Sequence, residues 1–459
     1  MTSPMDPNPA IFREYDIRGV ADRDLTDDLA RAVGRALGTR LRREGGRTAC
    51  LGRDVRESSP RLHAAVRDGL LSAGLDIFDA GIVPTPLLYY AIEATAASGG
   101  VMITGSHNPI EYNGFKLCRG TAPIWGEEIR AIEAQIRASD FSSGKGGARD
   151  FDVFPEYRAM VRARLKSGRA LKIVVDAGNG TGGLIGPQAL ADLGHDVVCL
   201  YCEPDGRFPH HLPDPTVPEL MRDLRERVLA EQADLGVGYD GDADRIGLID
   251  ERGRMVFGDQ ILALFARELL ARLPGSRILF DVKCSQALEE DIRAHGGVPF
   301  MWKTGHSVLK VKMKEEGFPL AGEMSGHMFF NEGFFGFDDA IYGSARMATY
   351  LSSLDRPLSA QIDSLPRFVN TPEIRIACPD EAKFRVVEEA TRHFAATRSV
   401  ISIDGVRARF PEGWGLLRAS NTQPVLVLRF EARTAAALAA IEEEFRAFLA
   451  RYPEVVWSP

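Results

Sequence analysis

No run of roughly 18 or more apolar residues occurs in the chain, which excludes a membrane-spanning helix of ordinary length. Cysteine is scarce. The 6 cysteines among 459 residues (Cys50, Cys118, Cys199, Cys202, Cys284 and Cys378) are too few and scattered for a disulfide-held scaffold. Basic residues are outnumbered, 56 Lys and Arg against 64 Asp and Glu, and the net charge of −8 argues against nucleic acid as the main partner. A local basic pocket for a small anion is compatible with that balance. The segment Met1-Thr-Ser-Pro-Met-Asp-Pro-Asn-Pro9 has neither the basic nor the apolar region of a secretory signal. A cytoplasmic enzyme with reduced thiols is therefore expected. Cys199-Leu-Tyr-Cys202 has redox or zinc spacing, but it follows the strand-like Asp196-Val-Val. On a strand, positions i and i+3 face opposite sides, so these thiols are expected to diverge.

What is present is an ordinary globular mixture, 45% hydrophobic and 26% charged, long enough for three or four domains at roughly 150 residues each. Its organisation shows in a threefold echo of helix end, glycine and strand: Leu70-Leu-Ser-Ala-Gly74-Leu-Asp-Ile-Phe, Leu190-Ala-Asp-Leu-Gly194-His-Asp-Val-Val and Ile292-Arg-Ala-His-Gly296-Gly-Val-Pro-Phe. Glycine at a helix exit suits the left-handed position there. Before each echo an apolar strand ends in aspartate, at Asp54, Asp176 and Asp281. This rhythm predicts three tandem α/β domains with mostly parallel sheets. The last ~95 residues instead alternate strands (from Asn370 and from Val425) with amphipathic helices (Asp380 to Ala396, Thr434 to Tyr452), a small α+β domain. Turn-forming residues near Ser143-Gly-Lys-Gly-Gly, Glu251-Arg-Gly-Arg and Leu365-Pro mark candidate linkers.

Each α/β repeat carries a polar loop after a later strand, where parallel sheets bind their ligands. The first, Thr104-Gly-Ser106-His107-Asn-Pro109, reads either as a turn ended by proline or as a site whose serine acts as nucleophile or phosphate carrier. The second, Asp240-Gly-Asp242-Ala-Asp244-Arg245, sets three carboxylates at alternate positions, able to wrap one hard cation such as Mg²⁺. An EF-hand would need glycine where Arg245 stands, although Glu251 does fall at its twelfth position. The third is Gly322-Glu323-Met-Ser325-Gly-His327. Its two glycines argue against a helical Glu–His metal pair. In an extended segment Glu323, Ser325 and His327 would point one way, as a clamp for sugar hydroxyls or as the polar face of an edge strand. In the tail, Arg418-Ala-Ser420-Asn421-Thr422 has the donor set of a phosphate cradle, or of a polar turn.

These loops, with Phe12-Arg-Glu-Tyr15-Asp-Ile-Arg18-Gly, occur in an order that closely resembles the α-D-phosphohexomutase superfamily, in its phosphomannomutase/phosphoglucomutase branch. The resemblance spans nearly the whole chain. It implies three mixed-sheet α/β domains and a C-terminal α+β domain, heart-shaped around a central cleft, here divided as 1–149, 150–252, 253–365 and 366–459. They would contribute, in turn, the phosphoserine, metal, sugar and phosphate loops. It further implies that Ser106 is phosphorylated and that Asp240, Asp242 and Asp244 bind Mg²⁺ together with a phosphoserine oxygen. Glu323 and Ser325 would grip sugar hydroxyls, and Arg418, Ser420, Asn421 and Thr422 the non-reacting phosphate. Among the remaining matched positions, Arg18, His107, Lys116, Arg245 and His306 fall on the catalytic side, and Tyr15, Lys283 and His327 on the substrate side.

The implied reaction interconverts the 1- and 6-phosphates of mannose and glucose through a 1,6-bisphosphate that reorients, glucose 1,6-bisphosphate serving as activator. The 3- and 4-hydroxyls roughly interchange on that flip, and glucose and mannose differ only at C2, outside the grip. Met324 and Asn421 favour this branch over phosphoglucosamine mutases. A metal-dependent sugar phosphatase and a non-catalytic sugar-phosphate binder are the rivals from other classes. The implied partners are hexose phosphates, and the implied state a monomer or homodimer.

Overall fold

The structure, a computed structural model, describes residues 5–420 and 423–457. Among these residues the strands form four sheets. The first three repeat one plan. In the first, the strand Thr48–Arg53 lies between Asp76–Ile82 and Gly99–Ile103, parallel to both, and Tyr112–Arg119 returns antiparallel beside the third strand. In the second, Lys172–Asp176 lies between Asp196–Leu200 and Leu235–Tyr239, and Ile246–Asp250 returns. In the third, Arg277–Asp281 lies between Val298–Trp302 and Leu320–Gly322, and Met328–Phe330 returns. The threefold echo is this plan. Gly74, Gly194 and Gly296 all take left-handed φ, +89°, +90° and +78°, where each helix hands the chain to the second strand.

The fourth sheet is antiparallel through Val406–Phe410, Gly413–Ala419 and Val425–Ala432, and is covered by the helices Asp380–Ala395 and Ala435–Leu449. Three tandem mixed-sheet α/β units and a C-terminal α+β unit are thus the architecture. No helix among the described residues is long and apolar enough to cross a membrane.

The apolar cores are partitioned unevenly. One cluster runs from Cys50 and Leu87 through Val175 and Tyr239 to Phe280, Phe330 and Leu351, joining the first three units. The fourth has its own core, built from Ile376, Phe394, Leu428 and Phe445. A small apolar cluster of Val282, Trp414 and Leu416 joins it to the third unit.

Three local expectations change. The Gly-rich stretch after Ser143 is strapped to the first sheet: Gly144 N and Gly146 N donate to Ser72 O and Leu71 O, and Ala148–Asp150 then pairs with Asp76–Ile82. Glu251-Arg-Gly-Arg is a hairpin turn inside the second sheet, with Leu248 opposite Val256. The strand that carries Cys199 stops at Leu200 and Tyr201 takes φ +52°, so strand alternation does not reach Cys202, whose thiol donates to Val175 O and Leu200 O.

Candidate active site

In each of the three repeats the third parallel strand and its antiparallel return form a hairpin, and the polar loop is its tip. Carboxyl ends of parallel strands are where such sheets present ligand-binding groups.

Ser106 follows the strand Gly99–Ile103, is buried, and holds a left-handed φ of +47°, rare for a non-glycine residue. Its Oγ donates to Asp240 Oδ2 at 2.6 Å and lies 3.1 Å from His107 Nδ1. The serine and aspartate loops meet backbone to backbone, since a Cβ on Gly241 would fall 2.5 Å from Ser106 O. The strain at Ser106 is over-determined by Arg56, among the largest fully buried side chains. Its guanidinium donates to the carbonyls of Ser106, Asn108, Pro109, Ile110 and Tyr112. Asp54 faces it at 3.3 Å and accepts from Gly105 N at 2.9 Å. A Cβ at Gly105 would strike Arg56 Nε at 2.3 Å.

The aspartate loop is wound on itself, with Asp240 Oδ1 accepting from the backbone of Asp244 and Arg245. Asp242 Oδ2 accepts from Thr85 Oγ1 and Lys116 Nζ, and Lys116 also reaches Asp244 Oδ2 at 2.5 Å. This leaves Asp242 Oδ1 and Asp244 Oδ1 buried with no hydrogen-bond partner. One oxygen from each of the three aspartates lies within 4.8 Å of the others. Burial, then repulsion from Asp244 and Asp242, holds the Asp240 carboxyl well above its usual range. Burial alone would pull the Lys116 ammonium down, but Asp242, Asp244 and Asp240 push it up. An all-oxygen set with orphaned buried carboxylate oxygens fits a hard divalent cation.

The third tip departs from the expectation. Residues 323–327 form a tight turn, not an extended segment: Glu323 N donates to His327 O, Gly326 N donates to Glu323 O, and Gly326 has φ +91°. Period-2 alternation therefore does not apply. Glu323 and Ser325 still meet, with Ser325 Oγ donating to Glu323 Oε2 at 3.0 Å while Gly305 N donates to Oε1. His327 instead accepts from Arg245 Nε at 2.9 Å. His306, first residue of its helix, stacks on His327 with centroids 5.1 Å apart, and Tyr15 sits edge-on to His306. Burial, then the Lys310 charge, holds the His306 imidazole well below its usual range. His107 is lowered too, by burial and then by Arg245 and Arg18. Arg18, on the strand Ile17–Val20 that pairs with the Lys116 strand, bonds Asp16 at 2.5 Å.

The fourth unit joins by polar links. Tyr15 OH donates to Thr304 O, Thr304 N donates to Asp404 Oδ2, and Arg418 Nε donates to the same oxygen at 3.1 Å. Lys283 Nζ lies 3.2 Å from Glu373 Oε2. Ser420 Oγ accepts from Gln423 N, while Asn421 and Thr422 lie outside the described residues. Contacts thus run in series from Ser106 to Arg418.

Sequence reasoning missed Arg56, Lys310, Asp338, Glu373 and Asp404. Asp54 was visible as a strand-ending aspartate, and a signal was available in the repeat. Asp54 and Asp281 both accept a backbone N–H from the site loop of their own unit, Gly105 in one and Met324 in the other.

A serine and three carboxylates gathered at one point by tandem α/β hairpins, with a fourth unit tied in through an arginine, define the phosphohexomutase class. Residues 9–143, 155–253, 257–368 and 373–448 match the phosphoglucomutase/phosphomannomutase family models for alpha/beta/alpha domains I, II and III and for the C-terminal domain. The phosphomannomutase/phosphoglucomutase of Pseudomonas aeruginosa is 46% identical over 438 residues, 95% of each chain. The phosphoglucomutase of Neisseria gonorrhoeae is 42% identical, over 97% of this chain and 98% of that one. A crystal structure of a phosphoglucomutase/phosphomannomutase family protein from Burkholderia thailandensis superposes with TM-score 0.92 at 41% identity, covering 98% and 99% of the two chains. The chain belongs to the phosphoglucomutase/phosphomannomutase family.

Proposed function

We propose that this chain is an isomerase that interconverts the 1- and 6-phosphates of glucose and mannose through a phosphoserine at Ser106 and a hexose 1,6-bisphosphate. The observation that carries the reading is the buried Ser106 Oγ, 2.6 Å from Asp240, beside two buried carboxylate oxygens that have no partner. A polar turn has no use for three desolvated carboxylates at a buried hydroxyl. The relatives named phosphomannomutase/phosphoglucomutase and phosphoglucomutase favour the mutase over the glucosamine and phosphatase alternatives.

Asp240, Asp242, Asp244 and a Ser106 oxygen are the ligands for Mg²⁺. The ion, when bound, supplies Lewis-acid withdrawal of charge from the phosphoryl oxygens. The side chains do the rest. Lys116, Arg18 and Arg245 spread positive charge around the group in transfer, which needs positioning more than covalent machinery. His107 and His306 sit where a proton on Ser106 or on the sugar hydroxyl is exchanged. Glu323 Oε2 and Ser325 Oγ hold the 3- and 4-hydroxyls, Tyr15 and Lys283 line the sugar, and Arg418, Ser420, Asn421 and Thr422 hold the far phosphate in either orientation. His327 completes the substrate side. The divisions expected at 149 and 252 move past the strands Ala148–Asp150 and Met255–Val256, which pair in the first and second sheets. These, a division near 365, a cytoplasmic location and a monomeric or homodimeric state belong to the same proposal. Six free thiols support the location.

The test is conversion of glucose 1-phosphate to glucose 6-phosphate with Mg²⁺ and trace glucose 1,6-bisphosphate, with the mannose, galactose and glucosamine 1-phosphates alongside. The expected result is comparable turnover of glucose and mannose substrates, little of galactose, and loss of activity in Ser106→Ala and on chelation. Activity confined to glucosamine 1-phosphate, or phosphate release matching isomerisation, would overturn it.

A further inference from the structure

Asp242 is held by a residue that belongs to none of the site motifs. In the first unit the strand Asp76–Ile82 leads through Val83 and Pro84 into the helix Thr85–Thr95. Thr85 opens that helix, fully buried, between Pro84, at φ −60° and ψ 150°, and Pro86. A proline on either side restricts the backbone, so the threonine stands on a stiff corner. It meets the second unit's aspartate loop twice: its N–H donates to Asp242 O at 2.9 Å, and its Oγ1 donates to Asp242 Oδ2 at 2.5 Å. Lys116 Nζ donates to the same Oδ2 at 2.7 Å. Both side-chain donors thus fall on Oδ2, while Oδ1 of this 0% exposed residue is buried without a hydrogen-bond partner. The loop backbone is fixed separately. Thr181 N and Oγ1 donate to Gly241 O at 3.0 and 3.2 Å.

We propose that Thr85 is a positioning residue for the cation: its hydroxyl locks the Asp242 carboxyl about the Cβ–Cγ bond, giving Oδ2 to the protein and Oδ1 to the ion. That the ion is Mg²⁺ on the three aspartates rests on the mutase reading. A desolvated carboxylate oxygen without a partner is costly, and rotation of the carboxyl would relieve it by sharing the donors between the two oxygens. The Thr85 hydroxyl, on its stiff corner, opposes that rotation. Lys116 does so less, because its flexible stem carries an ammonium divided between Asp242 and Asp244. The alternative is that Thr85 only ties the first unit to the second. The backbone bond to Asp242 O already makes that tie. The hydroxyl adds a bond to the carboxylate itself, where orientation decides which oxygen a ligand finds.

The experiment is a titration of Mn²⁺, a paramagnetic substitute for Mg²⁺, into the full chain without sugar phosphate, free Mn²⁺ being read by electron paramagnetic resonance. The site at the aspartates is identified as the one lost in Asp240→Asn. Thr85→Val keeps the branched shape and the backbone bond and removes the hydroxyl. Its dissociation constant for Mn²⁺ is expected to rise about 10- to 100-fold, with Thr85→Ser within about 3-fold of wild type. The Mg²⁺ concentration for half-maximal turnover should rise in step, while KM for glucose 1-phosphate changes by less than about 3-fold. Unchanged Mn²⁺ affinity in Thr85→Val overturns the proposal, as does a Thr85→Ser as weak as Thr85→Val, which marks a packing effect. If Thr85→Val fails to fold, Thr85→Ala takes its place in the same titration. A wild-type chain that takes up no Mn²⁺ at the aspartates overturns this proposal and the cation reading together. A chain that shows the expected Mn²⁺ affinities but no mutase activity refutes the reaction and leaves the role of Thr85 standing.

Discussion

At the scale of single residues, the site is held by buried charges that do no chemistry themselves. Arg56 spends its guanidinium on five loop carbonyls. Lysine at that position offers a compact ammonium without the planar fork, and cannot hold carbonyls spread over seven residues. Arg56→Met, which strands Asp54, is expected to destabilise by about 3–5 kcal/mol, read by urea unfolding. Arg56→Lys is expected to cost kcat about 10- to 100-fold in steady-state assays, because Ser106 is released from its left-handed conformation. A second buried carboxyl gives a pH signature. Burial pushes Asp339 up to about 7, against hydrogen bonds from Tyr157 OH and from the backbone at Tyr342 and Ile341. The folded state therefore holds this proton more tightly than the unfolded chain does, and stability declines as pH rises from about 4 towards 7. Asp339→Asn should lack that component. Unfolding at several pH values should show the wild type losing ground to the variant across this window, and parallel curves would contradict the assignment. Ser106, the three aspartates and Lys116 were legible because their chemistry needs them close in sequence or in a recognisable motif. Arg56 and Asp338 were not, since a lone Arg or Asp is indistinguishable from a surface charge until the fold buries it.

At the scale of elements, one strand–helix–strand plan ending in a hairpin is used three times, and its glycines are its punctuation. Gly194 has φ +90° with nothing within 4 Å of an added Cβ, so Gly194→Ala pays only for the backbone conformation, about 1 kcal/mol. Gly146→Ala is expected to cost more, because its Cβ would fall 1.8 Å from Leu75 O. A matched pair of chemical denaturation curves checks the ordering. The echo was readable because helix exit, glycine and strand are local. The stretches after Ser143 and Glu251 were misjudged for the opposite reason: a linker, an edge strap and a hairpin turn share one composition, and only the pairing partners distinguish them. The turn at 323–327 was hidden in the same way, since Gly326 serves a loop end and an extended segment alike until its φ is known.

At the scale of the whole molecule, the order of the four units was legible, while the way they adhere was not, because interfaces between units draw on the same apolar residues as the cores. The first three units share one apolar continuum, and the fourth meets the third across Val282, Trp414 and Leu416. Trp414 is packed between the Arg407 guanidinium, 3.6 Å from its ring, and Glu431, which accepts from its Nε1. Trp414→Ala is expected to cost about 3–5 kcal/mol of stability. In steady-state kinetics it should raise KM for sugar phosphates more than it lowers kcat, because Arg418 and Lys283 lose their mutual placement while the Ser106 centre is untouched. An unchanged KM with a collapsed kcat would contradict that division. Under the proposed reaction, the uneven partition of the cores suits an intermediate that must tumble without escaping. Were the fourth unit to give, only one wall of the chamber would yield, and the sugar would gain room to somersault while the cradle around Ser106 kept its shape from one half-reaction to the next.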